Sequence, residues 1–170
     1  MATMSRQGGR APAAGGDPVI SLPSLQVWLH LVFSTKNREA LLQSPSFREE
    51  MFRMLCHQVQ ECGCIPKFAG GGVDHVHLVC GLSRTVAIAR LVEQVKTETA
   101  QWARKTTPGM AGFTWQSGYG VFSVSQSKLE QVIDYVAAQE NHHKWQSFQE
   151  EFRELCEKHA IEIDERTAWD

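Results

Sequence analysis

Cys64-Ile65-Pro66-Lys67-Phe68-Ala69-Gly70-Gly71-Gly72-Val73-Asp74-His75-Val76-His77-Leu78-Val79-Cys80 lies between two stretches of helical periodicity, and its reading decides the fold. Cys64 to Phe68 and Val73 to Cys80 are rich in β-branched and apolar residues and read as strands. The triple glycine Gly70-Gly71-Gly72 reads as the turn that joins them into a β-hairpin. Upstream, Phe47, Met51, Leu55 and Val59 recur every four residues, so one apolar stripe runs along a helix that Gly63 stops. Pro45 suits its first turn, and Ser46 with Glu49 is expected to form a capping box. Gln26 to Phe33 alternates and is aromatic-rich, which predicts a strand; the polar loop Ser34 to Arg38 follows it.

Downstream, a helix from about Val86 to Lys105 carries Ile88, Leu91, Val92, Val95 and Trp102 on one side. Pro108-Gly109 and Gly112 mark a loop. Phe113 to Trp115 and Val121 to Val124 are expected to be extended around a turn at Gly118-Tyr119-Gly120. Ser127 and Glu130 read as a second capping box, opening a helix through about His143, and a last helix spans roughly Phe148 to His159. The order is βαββαβ followed by helices. It predicts an α+β fold, a ferredoxin-like sandwich whose antiparallel sheet carries two helices on one face, with C-terminal helices added.

The chain has 170 residues, 42% of them hydrophobic and 21% charged, which excludes disorder of the whole. Residues 1–23 are rich in Gly, Ala and Pro and are expected to be a flexible tail; residues 24–170 are expected to form one domain. No apolar run approaches the ~18 residues of a membrane span, and the N-terminus lacks the apolar core of a signal peptide. A cytoplasmic protein is therefore expected. The net charge of −2 divides unevenly: residues 1–127 hold 12 Lys and Arg against 8 Asp and Glu, and residues 128–170 hold 5 against 11. A near-neutral total argues against non-specific coating of nucleic acid, but leaves room for a small shaped site on the mildly basic first part. The five cysteines, Cys56, Cys62, Cys64, Cys80 and Cys156, read as reduced thiols.

Two segments carry chemistry. On a strand of period two, His75 and His77 share one face while Val76, Leu78 and Cys80 share the other. Two imidazoles so placed are half of a divalent metal site; the bland alternative is a pair of partly exposed histidines on a solvated sheet face. In Lys128 to His143, Leu129, Val132, Ile133 and Val136 form an apolar stripe. Tyr135 and Gln139, four apart, lie together on a neighbouring stripe and can reach one point, with Lys128 and His142 close by. The bland reading of Tyr135 is half-buried packing with a wet hydroxyl. His143 reads as structural, and His30, His57 and His159 have no partner at ligand spacing.

His75-Val76-His77 and Tyr135-Val136-Ala137-Ala138-Gln139 together resemble the HUH-type single-tyrosine transposases, the small insertion-sequence and REP-associated enzymes. The stretches His30 to Arg38, Trp115 to Val124 and Gln139 to Asp170 are also similar to that family, although Thr167-Ala168 stands where larger residues are expected. The resemblance implies a DNA transposase that cuts and rejoins single-stranded DNA at hairpin-flanked element ends. It implies that His75, His77 and Gln139 hold one divalent ion (Mg²⁺ or Mn²⁺) and that Tyr135 attacks the scissile phosphate, leaving a 5′-phosphotyrosine link. It also implies a homodimer in which the tyrosine helix can act across subunits. Candidate DNA-backbone contacts are Lys36, Arg38, Lys67, Arg84, Arg90, Lys96, Arg104 and Lys105. No general base for Tyr135 is visible in the sequence. Tyr119, between two glycines, reads as a turn residue.

Three other readings compete: a catalytically retired, host-retained hairpin-DNA binder; a metal-binding protein using His75, His77 and Cys62-Gly63-Cys64, whose thiolates would attract Zn²⁺; and an RNA binder stacking bases on Trp28 and Phe33.

Overall fold

The structure is a computed structural model, and it describes residues 26–139 and 147–165. Strand β1 (Trp28–Ser34) leads through a single 3₁₀ turn at Lys36–Arg38 to helix α1 (Pro45–Glu61). Strands β2 (Ile65–Gly71) and β3 (His75–Gly81) form the expected hairpin, and helix α2 (Ile88–Thr106) crosses back to β4 (Gly120–Val124). Helices α3 (Leu129–Ala137) and α4 (Phe148–Lys158) follow. The sheet is antiparallel in the order β2-β3-β1-β4, the arrangement the βαββαβ succession requires when both helical crossovers return to one face. The expected α+β fold is the one observed.

Local chemistry explains where the boundaries differ from expectation. Helix α1 is capped by Ser44, whose hydroxyl accepts from Phe47 N–H at 3.4 Å, and not by a Ser46–Glu49 box. Pro45 has no N–H to be capped and takes the first helical position, which makes the residue before it the cap. The Ser127–Glu130 box does not form either. Trp28 Nε1 donates to Gln126 Oε1 at 2.7 Å and holds Gln126–Lys128 in a 3₁₀ turn, so α3 begins at Leu129. Gly70 and Gly71 belong to β2, and the reversal falls at residues 72–74. Gly71 has φ of 151°, and a Cβ there would meet the His75 carbonyl oxygen at 2.3 Å, so this approach needs glycine. The end of the expected tyrosine helix, including His142 and His143, and residues 1–23 lie outside the described residues.

The sheet has two different faces. Leu29, Leu31, Phe33, Val76, Leu78 and Cys80 pack against the α1 stripe Phe47, Met51, Leu55 and Val59 and against Leu91, Val92 and Val95 of α2. Each such burial contributes about 1.5–3 kcal/mol, so this side is the main core. The other face is covered too, by α3 and α4. Trp28 and Val79 pack with Leu129 and Val136 of α3, whereas Val32 and Phe122 pack with Phe148, Leu155 and Cys156 of α4. Between these two apolar patches lie His30, His75 and His77, all buried. The picture of two partly exposed histidines on a solvated sheet face is therefore corrected: the C-terminal helices exclude water from them.

Candidate active site

Period-two alternation places His77 on the α3/α4 side of β3, directly across from Val32 in the register, while His75 pairs with Ser34 at the end of β1. Each imidazole is held from behind. His75 Nδ1 lies 2.6 Å from Asp74 Oδ1, so its N–H donates to that carboxylate and Nε2 is the nitrogen that faces the site. Asp74 is fixed in turn, because its carbonyl accepts from Thr35 N–H at 2.8 Å and Thr35 Oγ1 at 3.0 Å. His77 Nδ1 lies 2.9 Å from His30 Nε2, and their rings stack at 5.1 Å. Phe148 stacks on the other side of His75 at 4.6 Å. Burial pushes the imidazolium form of His30 down to about 3, reinforced by the neighbouring His77, so His30 is neutral near pH 7. Burial also lowers His77, against the pull of the Glu151 carboxylate.

Opposite the two imidazoles stands Glu151 of α4. A capping box sets its direction: Ser147 Oγ accepts from Glu150 N–H and Ser147 N–H donates to Glu150 Oε2 at 2.8 Å, which fixes the first turn. Glu151 therefore points inward on the same helical face as Phe148 and Leu155, with 4% of its surface exposed. Its Oε1 accepts hydrogen bonds from the Tyr135 hydroxyl and from Gln139 Nε2. The same oxygen is 3.4 Å from His77 Nε2, and Oε2 is 3.7 Å from His75 Nε2. Burial acts to raise the Glu151 carboxyl, but hydrogen bonding and charge from His77, the Tyr135 hydroxyl and His75 outweigh it and hold the group below the usual carboxylate range. Burial and the bond to Glu151 push the Tyr135 phenol well above its ordinary value.

Tyr135 and Gln139, one helical turn apart, thus converge on a single carboxylate oxygen beside the paired imidazoles. His75, His77 and Glu151 each place a donor atom within 4.8 Å of the others, a group able to hold a metal ion. Gln139 Oε1 is buried with no hydrogen-bond partner among the described residues, which leaves an amide oxygen as a fourth candidate donor on a side chain that already touches Glu151. Two imidazoles, a carboxylate and an amide oxygen make a mixed nitrogen and oxygen set that suits Mn²⁺ or a similar divalent cation better than Mg²⁺, whose preference is for oxygen. No cysteine belongs to that group. Cys64 lies in the core on the α1/α2 side with Cys62 packed against it, across the sheet from the imidazoles, and burial raises the Cys62 thiol, which disfavours a thiolate ligand. The cysteine-based metal reading fails on this arrangement, and so does the base-stacking reading, because Trp28 and Phe33 are buried.

Glu151 and His30 were missed by sequence reasoning. Glu151 had a signal, a carboxylate at i+3 and i−4 from Phe148 and Leu155 on an otherwise apolar face. His30 had none, because its partnership with His77 arises from strand pairing over 47 positions.

The basic candidates are scattered. Lys36 and Arg38 lie in the turn after β1, and Lys67 sits on β2 with its ammonium 4.9 Å from the centre of the Trp28 ring. Arg84 and Lys105 are exposed, and Arg90 pairs with Glu93 at 2.9 Å. Lys96 donates to the carbonyls of Gln116, Ser117 and Gly118 (2.7, 3.2 and 2.7 Å), and Arg104 donates to that of Phe113 at 2.8 Å. Those two cations brace the 107–120 loop. Burial lowers the Lys96 ammonium to about 8. Lys128 reaches Gln131 at 3.1 Å on the outer side of the helix turn. No helix among the described residues is long and apolar enough to cross a membrane.

Comparison with known proteins agrees with this architecture. No curated protein matches the chain. Among solved structures, one from Deinococcus radiodurans R1, described as a candidate transposase, superposes with a TM-score of 0.54 at 20% identity, covering 81% of this chain and 98% of that one. A REP-associated tyrosine transposase bound to a REP hairpin superposes with a TM-score of 0.52 at 14% identity, covering 71% and 70%. At such identities these likenesses concern the fold. The family model for IS200-like transposases matches residues 24–139, from the start of the sheet to Gln139, and on that match the chain belongs to the IS200-like transposase family.

Proposed function

We propose that the protein cuts and rejoins single-stranded DNA at hairpin-flanked ends, with Tyr135 as nucleophile and a divalent cation held by His75, His77, Gln139 and Glu151. The observation that carries the reading is the convergence of the Tyr135 hydroxyl and the Gln139 amide on Glu151 Oε1 beside the two imidazoles. A bound divalent ion supplies Lewis-acid polarisation of the scissile phosphate. The chain's own groups do the rest. Asp74 and His30 keep both Nε2 lone pairs facing the phosphate site. Phe148 and the apolar patches of α3 and α4 exclude bulk water from it.

The Tyr135 oxygen attacks phosphorus as its proton passes to Glu151 Oε1; the bond from phosphorus to the 3′ oxygen breaks, and Glu151 returns that proton to the departing oxygen, which leaves as the free 3′-hydroxyl. Glu151 Oε1 is placed to take that proton because it already accepts the Tyr135 hydroxyl, and a cation that stabilises the phenolate offsets the raised phenol. The phosphotyrosine keeps the broken phosphodiester's energy, so reversal onto another 3′-hydroxyl rejoins strands without ATP. The ring separation of 6.1 Å between Tyr135 and His77 of the same chain supports a site built within one subunit; a homodimer that exchanges this helix is compatible with the short α3. The hairpin in the REP-associated relative supports a hairpin substrate.

The test incubates labelled single strands spanning the DNA that flanks the coding region, chosen to include any imperfect palindrome, with wild type and Tyr135→Phe, in Mn²⁺ and in EDTA. A denaturation-resistant adduct is expected in wild type with Mn²⁺ alone. Hairpin binding with no adduct in wild type would instead establish the retired binder.

A further inference from the structure

Beside the site lies a cavity of about 360 Å³, within the ~300–1,000 Å³ usual for small-ligand sites. Its walls come from β1, β4, the loop ending in Tyr119 and Gly120, and α4 with the segment after it. Three lining residues adjoin the paired imidazoles: Val32 and Ser34 face His77 and His75 in the strand register, and Phe148 stacks on His75. The cavity is thus separated from the proposed phosphate site by one aromatic ring. Gly120 lets one wall of it, the Phe152 ring, pack closely against β4, since a Cβ there would meet that ring at 2.6 Å.

The lining combines aromatic rings and one buried donor with charged side chains, Arg38 and the carboxylates Glu162 and Asp164, which restrict the cavity to the neutral base and keep the strand's phosphates outside it. Phe122, Phe148 and Phe152 offer flat apolar walls, and Tyr119 stands at the mouth, 43% exposed. Gln116 also lines the cavity with 6% of its surface exposed. Its Oε1 accepts from Asn37 N–H at 3.3 Å, but its Nε2 is buried with no hydrogen-bond partner among the described residues. A buried amide donor left unsatisfied beside aromatic walls fits a planar ligand with an acceptor edge. Arg38, on the rim, follows Asn37 in a pair of left-handed residues (φ 57° and 55°), a conformation that costs free energy and is held here by the Gln116 contact.

We propose that this cavity takes one unstacked nucleobase of the bound single strand, that of a nucleotide adjoining the phosphate at His75 and His77, with Gln116 Nε2 donating to the base's acceptor edge. The inference rests on the single-strand reading above. Aromatic stacking plus one hydrogen bond is the usual means of holding an unpaired base.

The test compares binding of (dT)12 with that of a 12-mer of the same backbone made wholly of abasic residues, by fluorescence anisotropy in Mn²⁺. Wild type is expected to bind (dT)12 at least about tenfold tighter. Gln116→Ala should shrink that ratio severalfold. Ile161→Trp, which alters a rim residue 45% exposed and leaves the core intact, should block the mouth and bring the ratio near one with unchanged affinity for the abasic strand. Equal binding of both oligomers by wild type, with the Tyr135 adduct still formed on flank DNA, overturns the pocket and leaves the reading of the site standing. Absence of both binding and adduct overturns the two together.

Discussion

His30 Nε2 lies 2.9 Å from His77 Nδ1, a contact between two strands that turns the second nitrogen of His77 toward Glu151. Outer partners of this kind fix the tautomer of a ligand imidazole, and their loss weakens metal binding about 10–100-fold. His30→Phe keeps a ring of similar volume and is expected to bind Mn²⁺ that much more weakly in calorimetry, with an unchanged circular dichroism spectrum. Unaltered affinity would show that packing alone orients His77.

The depressed imidazolium of His30 gives stability a pH dependence of definite sign. The group is neutral when folded until pH nears 3 but titrates near 6.5 when unfolded, so its contribution is complete above pH 6.5 and declines as pH falls toward 3. His77 is lowered for the same first reason, and the depressed Glu151 carboxyl acts in the same direction at lower pH. His30 alone predicts a loss of about 2 kcal/mol between pH 7.5 and pH 5. Denaturant midpoints measured in EDTA should show it, and His30→Phe should flatten the dependence.

Glu151 joins four groups, and its removal should expose how much each relies on it. Glu151→Ala leaves the Tyr135 hydroxyl and Gln139 Nε2 without their common acceptor, at a cost of about 1–3 kcal/mol for each group that stays buried. In wild type, Mn²⁺ at 100 times its Kd should add about 2.7 kcal/mol and raise Tm accordingly. His75→Ala with His77→Ala should abolish that rise, and Glu151→Ala should reduce it. A Mn²⁺-dependent rise of wild-type size in the double His variant would remove the ion from this site.

Helix α3 rests on glycine. A Cβ at Gly70, which faces His77 in the register, would meet the Val136 carbonyl oxygen at 2.8 Å and its Cγ1 at 2.9 Å. Gly70→Ala should therefore push α3 off the sheet at a cost of about 1–3 kcal/mol. Because Tyr135 moves with that helix, adduct yield should fall by more than DNA binding does, which a parallel gel shift and cleavage assay would register.

The parts of this molecule legible in its sequence are those governed by local periodicity. The four-residue stripe of α1, the alternation that puts His75 and His77 on one face, and the i, i+4 spacing of Tyr135 and Gln139 are all fixed by neighbours in the chain. Where two local signals compete, the structure shows which prevails: Pro45 moves the α1 cap to Ser44, and the bond from Trp28 to Gln126 displaces the Ser127 box. His30 and the burial of the histidine pair were illegible, because both depend on how β1 and α4 return to β3 after long separations. Glu151 stood between these cases, marked by its place on an apolar face but assigned no role until α4 docked.

The proposed function requires that Tyr135, and not Tyr119, become covalently joined to a DNA 5′ end in a reaction that needs an ion held by His75 and His77. The most direct measurement is mass spectrometry of the tryptic peptides after reaction with flank DNA in Mn²⁺ and nuclease trimming. A nucleotide-phosphate adduct is expected on the peptide running from Leu129 to Lys144, absent in EDTA and in the variant lacking both imidazoles. An adduct on the peptide that contains Tyr119, or one on the Tyr135 peptide that persists without the ion, would contradict it.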